Sequence, residues 1–114
     1  MTTPLEREIA TYAAANPKSS ELHERATEFM PGGDTRGSIF WDPFPLYITD
    51  GNSSVITDAD GNKRLDFISN MTTLILGHRP SEVTSALRNQ IEHGLSYSAP
   101  SPPVVRWAEL MCER

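Results

Sequence analysis

The 114-residue chain carries 10 Lys and Arg against 15 Asp and Glu, a net charge of −5, with nine Pro, seven Gly and one Cys. Phe, Leu, Ile and Val make up about 21% of it, just above the roughly 20% below which chains tend to stay disordered, so a modest core in one domain, or in a piece of a larger one, is expected. The negative balance speaks against a nucleic-acid or membrane-surface partner, the lone Cys112 points to a reducing, cytoplasmic home, and neither a basic-then-apolar leader nor an apolar run of membrane-spanning length is present.

Thr3-Pro4-Leu5-Glu6 predicts a helix start: Thr3 caps, Pro4 suits the first helical position, and Glu6 completes a capping box. Leu5, Ile9, Tyr12 and Ala13 follow at helical spacing, and Asn16-Pro17 ends the run. A second helix is expected from Ser19 or Ser20, with Leu22, Ala26 and Phe29 or Met30 on one face, stopping at Pro31-Gly32-Gly33. From Phe44 the period changes to two. Phe44, Leu46 and Ile48 alternate with Pro45, Tyr47 and Thr49, followed by a turn at Asp50-Gly51-Asn52. Val55-Ile56-Thr57 and Arg64-Leu65-Asp66-Phe67 read as two more strands joined at Asp60-Gly61, which together predict a three-stranded antiparallel meander. Pro80-Ser81 opens a third helix that Gly94 terminates, and Ser101-Pro102-Pro103 opens a fourth whose apolar pattern runs to the last residues without a stop signal. The class is α+β: N-terminal helices, the meander, then two helices.

Several residues invite chemistry. Asp58-Ala59-Asp60-Gly61-Asn62 suggests a calcium loop, but an EF-hand starting at Asp58 needs glycine where Lys63 stands and glutamate where Ser69 stands, so a hairpin turn is the better reading. His23, His78 and His93 lack zinc-site spacing, and no metal site is expected. The triplets Asn52-Ser53-Ser54 and Asn70-Met71-Thr72 match a glycosylation pattern without a secretory context. Pro31-Gly32-Gly33-Asp34-Thr35-Arg36 is a loop whose backbone permits close approach to a ligand, and Arg36 offers a planar fork for a carboxylate or phosphate. By itself this loop reads more readily as a solvated arginine beside a helix-ending glycine. The stretch from Ser69 to His78 reads as either a site wall or a strand leading to a turn.

Taken together these pieces resemble the class-III, fold-type-I pyridoxal-phosphate-dependent aminotransferases near their N-terminus. The resemblance is carried by Met30-Pro31-Gly32-Gly33-Asp34-Thr35-Arg36, Pro43-Phe44-Pro45-Leu46, Asp58-Ala59-Asp60-Gly61-Asn62 with Leu65-Asp66-Phe67, Leu76-Gly77-His78, the helix end from Gln90 to Gly94, and Ala108 to Arg114. Within the family it runs to two branches. One is the β-amino-acid (β-phenylalanine-type) aminotransferases, through the proline-glycine-arginine loop, the Pro43–Leu46 strand and the Cys112-Glu113-Arg114 ending. The other is glutamate-1-semialdehyde 2,1-aminomutase, through Gly32-Gly33 and Ser96-Tyr97-Ser98-Ala99-Pro100. Two positions depart from the pattern: Val104 stands where the family usually has glutamate, and the proline after Gly77-His78 comes one residue early, as Pro80.

The resemblance implies a fragment of a fold-type-I transferase without its α/β large domain. It divides into helices over 1–30, an active-site loop and meander over 31–78, and the helical start of the large domain over 79–114. It implies amino transfer from an amino-acid donor, a β-amino acid among the candidates, to a keto-acid acceptor, with pyridoxal 5'-phosphate as cofactor and a homodimer as the working form. It places Arg36 on the substrate carboxylate and Ser38 and Met71 in the substrate pocket. The aminomutases usually carry tryptophan at the Met71 position, which favours the first branch. The cofactor-binding equipment and the Schiff-base lysine would lie outside this chain, since neither Lys18 nor Lys63 matches that lysine. The chain alone is therefore expected to be catalytically silent, with an aminomutase-type isomerase or a non-catalytic α+β module as the alternatives.

Overall fold

The computed structural model describes residues 2–113. The chain divides into two compact units, Met1–Pro80 and Ser81–Arg114. The first holds helices α1 (Pro4–Ala15) and α2 (Pro17–Phe29), strands β1 (Ile48–Asn52), β2 (Val55–Asp58) and β3 (Lys63–Leu65), and a one-turn element α3 (Ser69–Thr72). The second holds helices α4 (Ser81–Ile91) and α5 (Pro102–Cys112). The α+β order of helices, three-stranded antiparallel meander β1-β2-β3, and two closing helices is the one the sequence predicts.

Helix α1 starts as its sequence dictates. The Thr3 hydroxyl accepts from the Glu6 amide at 3.2 Å, and the Glu6 carboxylate accepts from the Thr3 amide at 2.7 Å, so two otherwise unsatisfied amides are paired reciprocally. Helix α2 starts at Pro17, earlier than the Ser19 or Ser20 expected. Its cap comes from across the fold. Asn16 makes no side-chain capping bond, and the Asp60 carboxylate accepts instead from the amides of Lys18 (2.7 Å) and Ser19 (3.2 Å). A carboxylate on a helix N-terminus is stabilised by both hydrogen bonds and the helix dipole. On α2, Ala26 is buried, but Phe29, expected on the same face, stays 80% exposed.

The first strand lies four residues later than its alternation suggests. Residues 44–47 lie outside the ladder, with their polar groups bonded elsewhere. Tyr12 donates its hydroxyl to the Phe44 carbonyl (2.8 Å), the Tyr47 amide donates to Ser19 Oγ (3.3 Å), and the Tyr47 carbonyl accepts from the Ala59 amide (2.7 Å). Phe44 itself is buried, 5.1 Å from the Tyr12 ring centroid. Asp50, Gly51 and Asn52, expected as a turn, are ladder residues opposite Thr57, Ile56 and Val55. Gly51 belongs there because a Cβ would lie 2.7 Å from the His78 ring, a distance that no side chain tolerates. The turn falls instead on Ser53 and Ser54, and β3 ends at Leu65, before Asp66 and Phe67.

The interior of the first unit is polar. Asn16, Ser19 and Asp58 are its largest fully buried side chains, and Ala26 and Phe44 its buried hydrophobic ones. Asp58 accepts from the amides of Asn62 (2.8 Å) and Asp60 (3.1 Å) and from Arg64 through Nε (3.1 Å) and Nη2 (2.9 Å); Arg64 also reaches Asn16 Oδ1 at 2.7 Å. The hairpin turn at Asp60-Gly61 is thus closed from inside by a carboxylate. Burial pushes the Asp58 carboxyl up, but the Asn62 amide and Arg64 more than offset this, and it sits below the ordinary value.

In the second unit, the Tyr97 hydroxyl donates to the His93 and Gly94 carbonyls and accepts from Gln90, tying off the end of α4. Neither of its helices buries a residue.

Candidate functional site

An apolar pocket of about 460 Å³ opens in the first unit. Met30, Ile39, Trp41, Leu46, Ile56 and Ile68 supply its apolar wall. Its polar groups come from two segments: Asp34 and Thr35 of the glycine-rich loop, and Asp66, Asn70 and His78 around α3. The loop is held from behind, since the Tyr47 hydroxyl donates to the Gly33 carbonyl at 3.3 Å. Burial pushes the Tyr47 hydroxyl above its usual value, with Asp34 adding to the effect.

The second polar segment is unusual in its backbone. Ser69, Asn70, Met71 and Thr72 all have positive φ, from 48° to 66°, a left-handed turn without a single glycine. Each such residue costs about 1–2 kcal/mol, and the conformation persists only where its surroundings hold it. The holding groups are visible. Asp66 Oδ1 accepts from the amides of Ile68 and Ser69, each at 2.9 Å, and Asp66 Oδ2 meets His78 Nε2 at 2.7 Å. The Ser69 amide, then His78, keep the Asp66 carboxyl below its usual range. His78 is fixed in turn by a two-way backbone bridge with Ser53 (2.7 and 2.9 Å). Gly77 has φ +74°, and a Cβ there would sit 2.6 Å from the Ser53 carbonyl oxygen.

Of the three substrate-binding residues expected from the sequence, Arg36 is exposed at the start of the short turn Gly37–Ile39, Ser38 is exposed within that turn, and Met71 is 54% exposed in α3. None of the three lines the pocket. Their neighbours Thr35 and Asn70 do, so the two segments that carry Arg36 and Met71 meet at one cavity. Among the described residues Arg36 has no acidic partner within ion-pair distance. The stretch from Ser69 to His78, read from the sequence as a site wall or a strand leading to a turn, gives Asn70 and His78 to the pocket lining and forms no strand; sequence reasoning assigns no role to the side chains of Asp66 or Trp41. Asp66 and His78 lie in motifs that carry the family resemblance, which was the available signal.

Similarity to known proteins covers nearly the whole chain. No family model matches it. The chain is 34% identical over 103 residues to a β-phenylalanine transaminase of Variovorax paradoxus, a match that spans 90% of this chain and 24% of that protein. It is 37% identical over 95 residues to a glutamate-1-semialdehyde 2,1-aminomutase of Thermoplasma volcanium, spanning 83% and 23%. A crystal structure of a β-phenylalanine aminotransferase from Variovorax paradoxus superposes with a TM-score of 0.87 at 32% identity, over 92% of this chain and 24% of that one. A transaminase solved with pyridoxal phosphate bound gives a TM-score of 0.80 at 41% identity, over 82% and 22%. The homologues and structure neighbours that this chain matches are class-III pyridoxal-phosphate-dependent aminotransferases and aminomutases, and the chain corresponds to a segment of their fold. It spans about a quarter of the length of the curated relatives it matches.

Pyridoxal phosphate is the cofactor of the family. The pocket of this chain does not fit it. No lysine or arginine lines the wall to meet a phosphate, and the carboxylates of Asp34 and Asp66 stand there instead. Lys18 is exposed in the first turn of α2 and Lys63 is exposed in β3. No cofactor step is therefore assigned to these residues. Among the described residues there is no group of three or more metal-ligating side chains, and no helix is long and apolar enough to cross a membrane.

Proposed function

We propose that this segment serves a complete aminotransferase that moves an amino group from an amino acid, with β-amino acids in its range, to a keto acid. In that enzyme the cofactor is held by residues outside this chain, and the chain alone is inactive. The carrying observation is Arg36: an arginine with no acidic partner among the described residues, one position from the wall of an apolar pocket. A guanidinium left free at such a rim donates two parallel N–H hydrogen bonds to a carboxylate. The apolar wall takes the rest of the donor. Ser38 and Met71 complete the binding surface. Holding the carboxylate fixes which carbon of the substrate faces the reacting group, which is the contribution positioning makes to rate.

The proposed organisation is helices over 1–30, loop and meander over 31–78, and the start of the large domain over 79–114, in a cytoplasmic homodimer. In the complete protein, Arg36→Ala should weaken carboxylate binding by about 1.5–3 kcal/mol, as for a hydrogen bond to a charged group. This appears as a KM for carboxylated donors raised roughly 10- to 150-fold, while amines without a carboxylate are unaffected. An unchanged KM removes the role.

The aminomutase reading is favoured by one observation, the 37% identity to the Thermoplasma volcanium enzyme. A product assay separates the two: an aminomutase returns an isomer of its substrate and needs no keto-acid acceptor.

A further inference from the structure

We infer that Asp66 and His78 are positioning residues: together they hold the left-handed Ser69–Thr72 turn that carries Asn70 into the pocket wall and Met71 beside it. The inference rests on the proposed function for its catalytic consequence, and on geometry alone for its structural part.

Four consecutive residues with positive φ and no glycine do not hold that shape by local preference. The turn's own bonds lie within it and at its exit: the Thr72 amide to the Ile68 carbonyl (2.9 Å), the Leu74 amide to the Ser69 carbonyl (3.0 Å), the Thr73 amide and hydroxyl to the Asn70 carbonyl (3.4 and 2.8 Å), and Asn70 Nδ2 to the Thr73 hydroxyl (3.1 Å). Asp66 adds what these lack. Its Oδ1 gathers two successive amides at the entry of the turn, and its Oδ2 is anchored on His78. His78 is bonded through its backbone to Ser53 at the end of the β1-β2 hairpin, with its ring packed where Gly51 leaves space. The chain of support therefore runs from the sheet, through His78 and Asp66, to the turn. Such a support sets the placement of Asn70 and Met71 relative to Thr35 and Arg36, groups that bind the donor, and misplacing groups that hold ground state and transition state alike raises KM with kcat little changed.

The role makes a prediction a general structural role does not. If Asp66 works by forcing residues into left-handed backbone, glycine, which enters that region freely, should replace it. Ser69 and Thr72 are the positions to change, because neither lines the pocket. In the complete protein, Asp66→Asn should raise the KM for a carboxylated amino donor about tenfold, with kcat held within about twofold. Hydrogen exchange in the 66–76 segment should quicken while β1 and β2 stay protected. Adding Ser69→Gly and Thr72→Gly to Asp66→Asn should return both KM and exchange most of the way to the parent. His78→Gln should repeat the Asp66→Asn pattern, and the same glycine pair should rescue it.

An Asp66→Asn protein that loses protection throughout the sheet, or a KM that the two glycines fail to restore, overturns the inference. Should the complete protein have no aminotransferase activity, the proposed function falls, and the exchange measurements alone decide: selective loosening of 66–76 with glycine rescue upholds the positioning role, and its absence overturns it.

Discussion

The two units of this chain are held in opposite ways. In Met1–Pro80 the deepest side chains are Asn16, Ser19 and Asp58, and hydrogen bonds of 2.7–3.3 Å join them to Arg64, Asp60 and the Tyr47 amide. In Ser81–Arg114 neither helix buries a residue, and Val83, Leu87 and Ile91 on α4 and Val104, Val105, Trp107 and Met111 on α5 are exposed. Polar bonds are directional, so the first unit has a defined shape in spite of its slight apolar core. Helices of 11 residues are marginal by themselves and depend on packing an apolar face. The contrast teaches that stability and local shape are separable here: the first unit is well specified by its polar bonds, yet both units leave large apolar side chains in water.

The comparison breaks most severely at Asp58. Asp58→Ala leaves the Asp60 and Asn62 amides without their buried acceptor, while Arg64, part exposed, keeps its bond to Asn16; a buried donor left unsatisfied costs about 1–3 kcal/mol. Hydrogen exchange on the complete protein should show protection lost across β2, β3 and the start of α2, with α4 and α5 unchanged; equal loss in both units would erase the distinction.

A smaller effect comes from acid. The folded pKa values of Asp58 and Asp66 lie below the ordinary value of 3.8, so the ionised carboxylates are favoured by folding. Their stabilisation is complete well above pH 3.8 and is lost as pH falls through that value and the lower folded ones. Protection in the first unit should therefore decline below about pH 4, and Asp66→Asn should flatten that decline. A first unit as stable at pH 3 as at pH 6 would contradict the sign.

How much of this was legible in the sequence follows the distance over which each feature is determined. The capping box of α1, the hairpin at Asp60-Gly61 and the starts of α4 and α5 depend on residues within four positions of one another, and the sequence predicts all of them. The start of α2 is set by Asp60, 42 residues beyond Lys18. The position of β1 depends on Tyr12, Ser19 and His78, which no alternation pattern records. The candidate site divides in the same manner. Arg36 stands out as an arginine in a glycine-rich loop, whereas the Asp66–His78 pair is joined only in space, and four left-handed residues without glycine leave no local signature. The family resemblance, carried by ordered motifs over the whole chain, supplied what local rules could not.

This chain is a segment whose apolar faces require a larger assembly. Its accessible surface is 9242 Å², against about 6,200 Å² for a folded monomer of its mass and roughly 7,400 Å² for two separate units of these lengths. Phe67 is 90% exposed and Ile75 88%, and patches of this kind mark interaction surfaces. The most direct measurement is differential scanning calorimetry of the 114-residue chain alone. A segment with uncovered apolar faces should show a weak or absent cooperative transition, with aggregation. A sharp two-state endotherm near the roughly 80 kcal/mol expected for a self-sufficient domain of this length would contradict it.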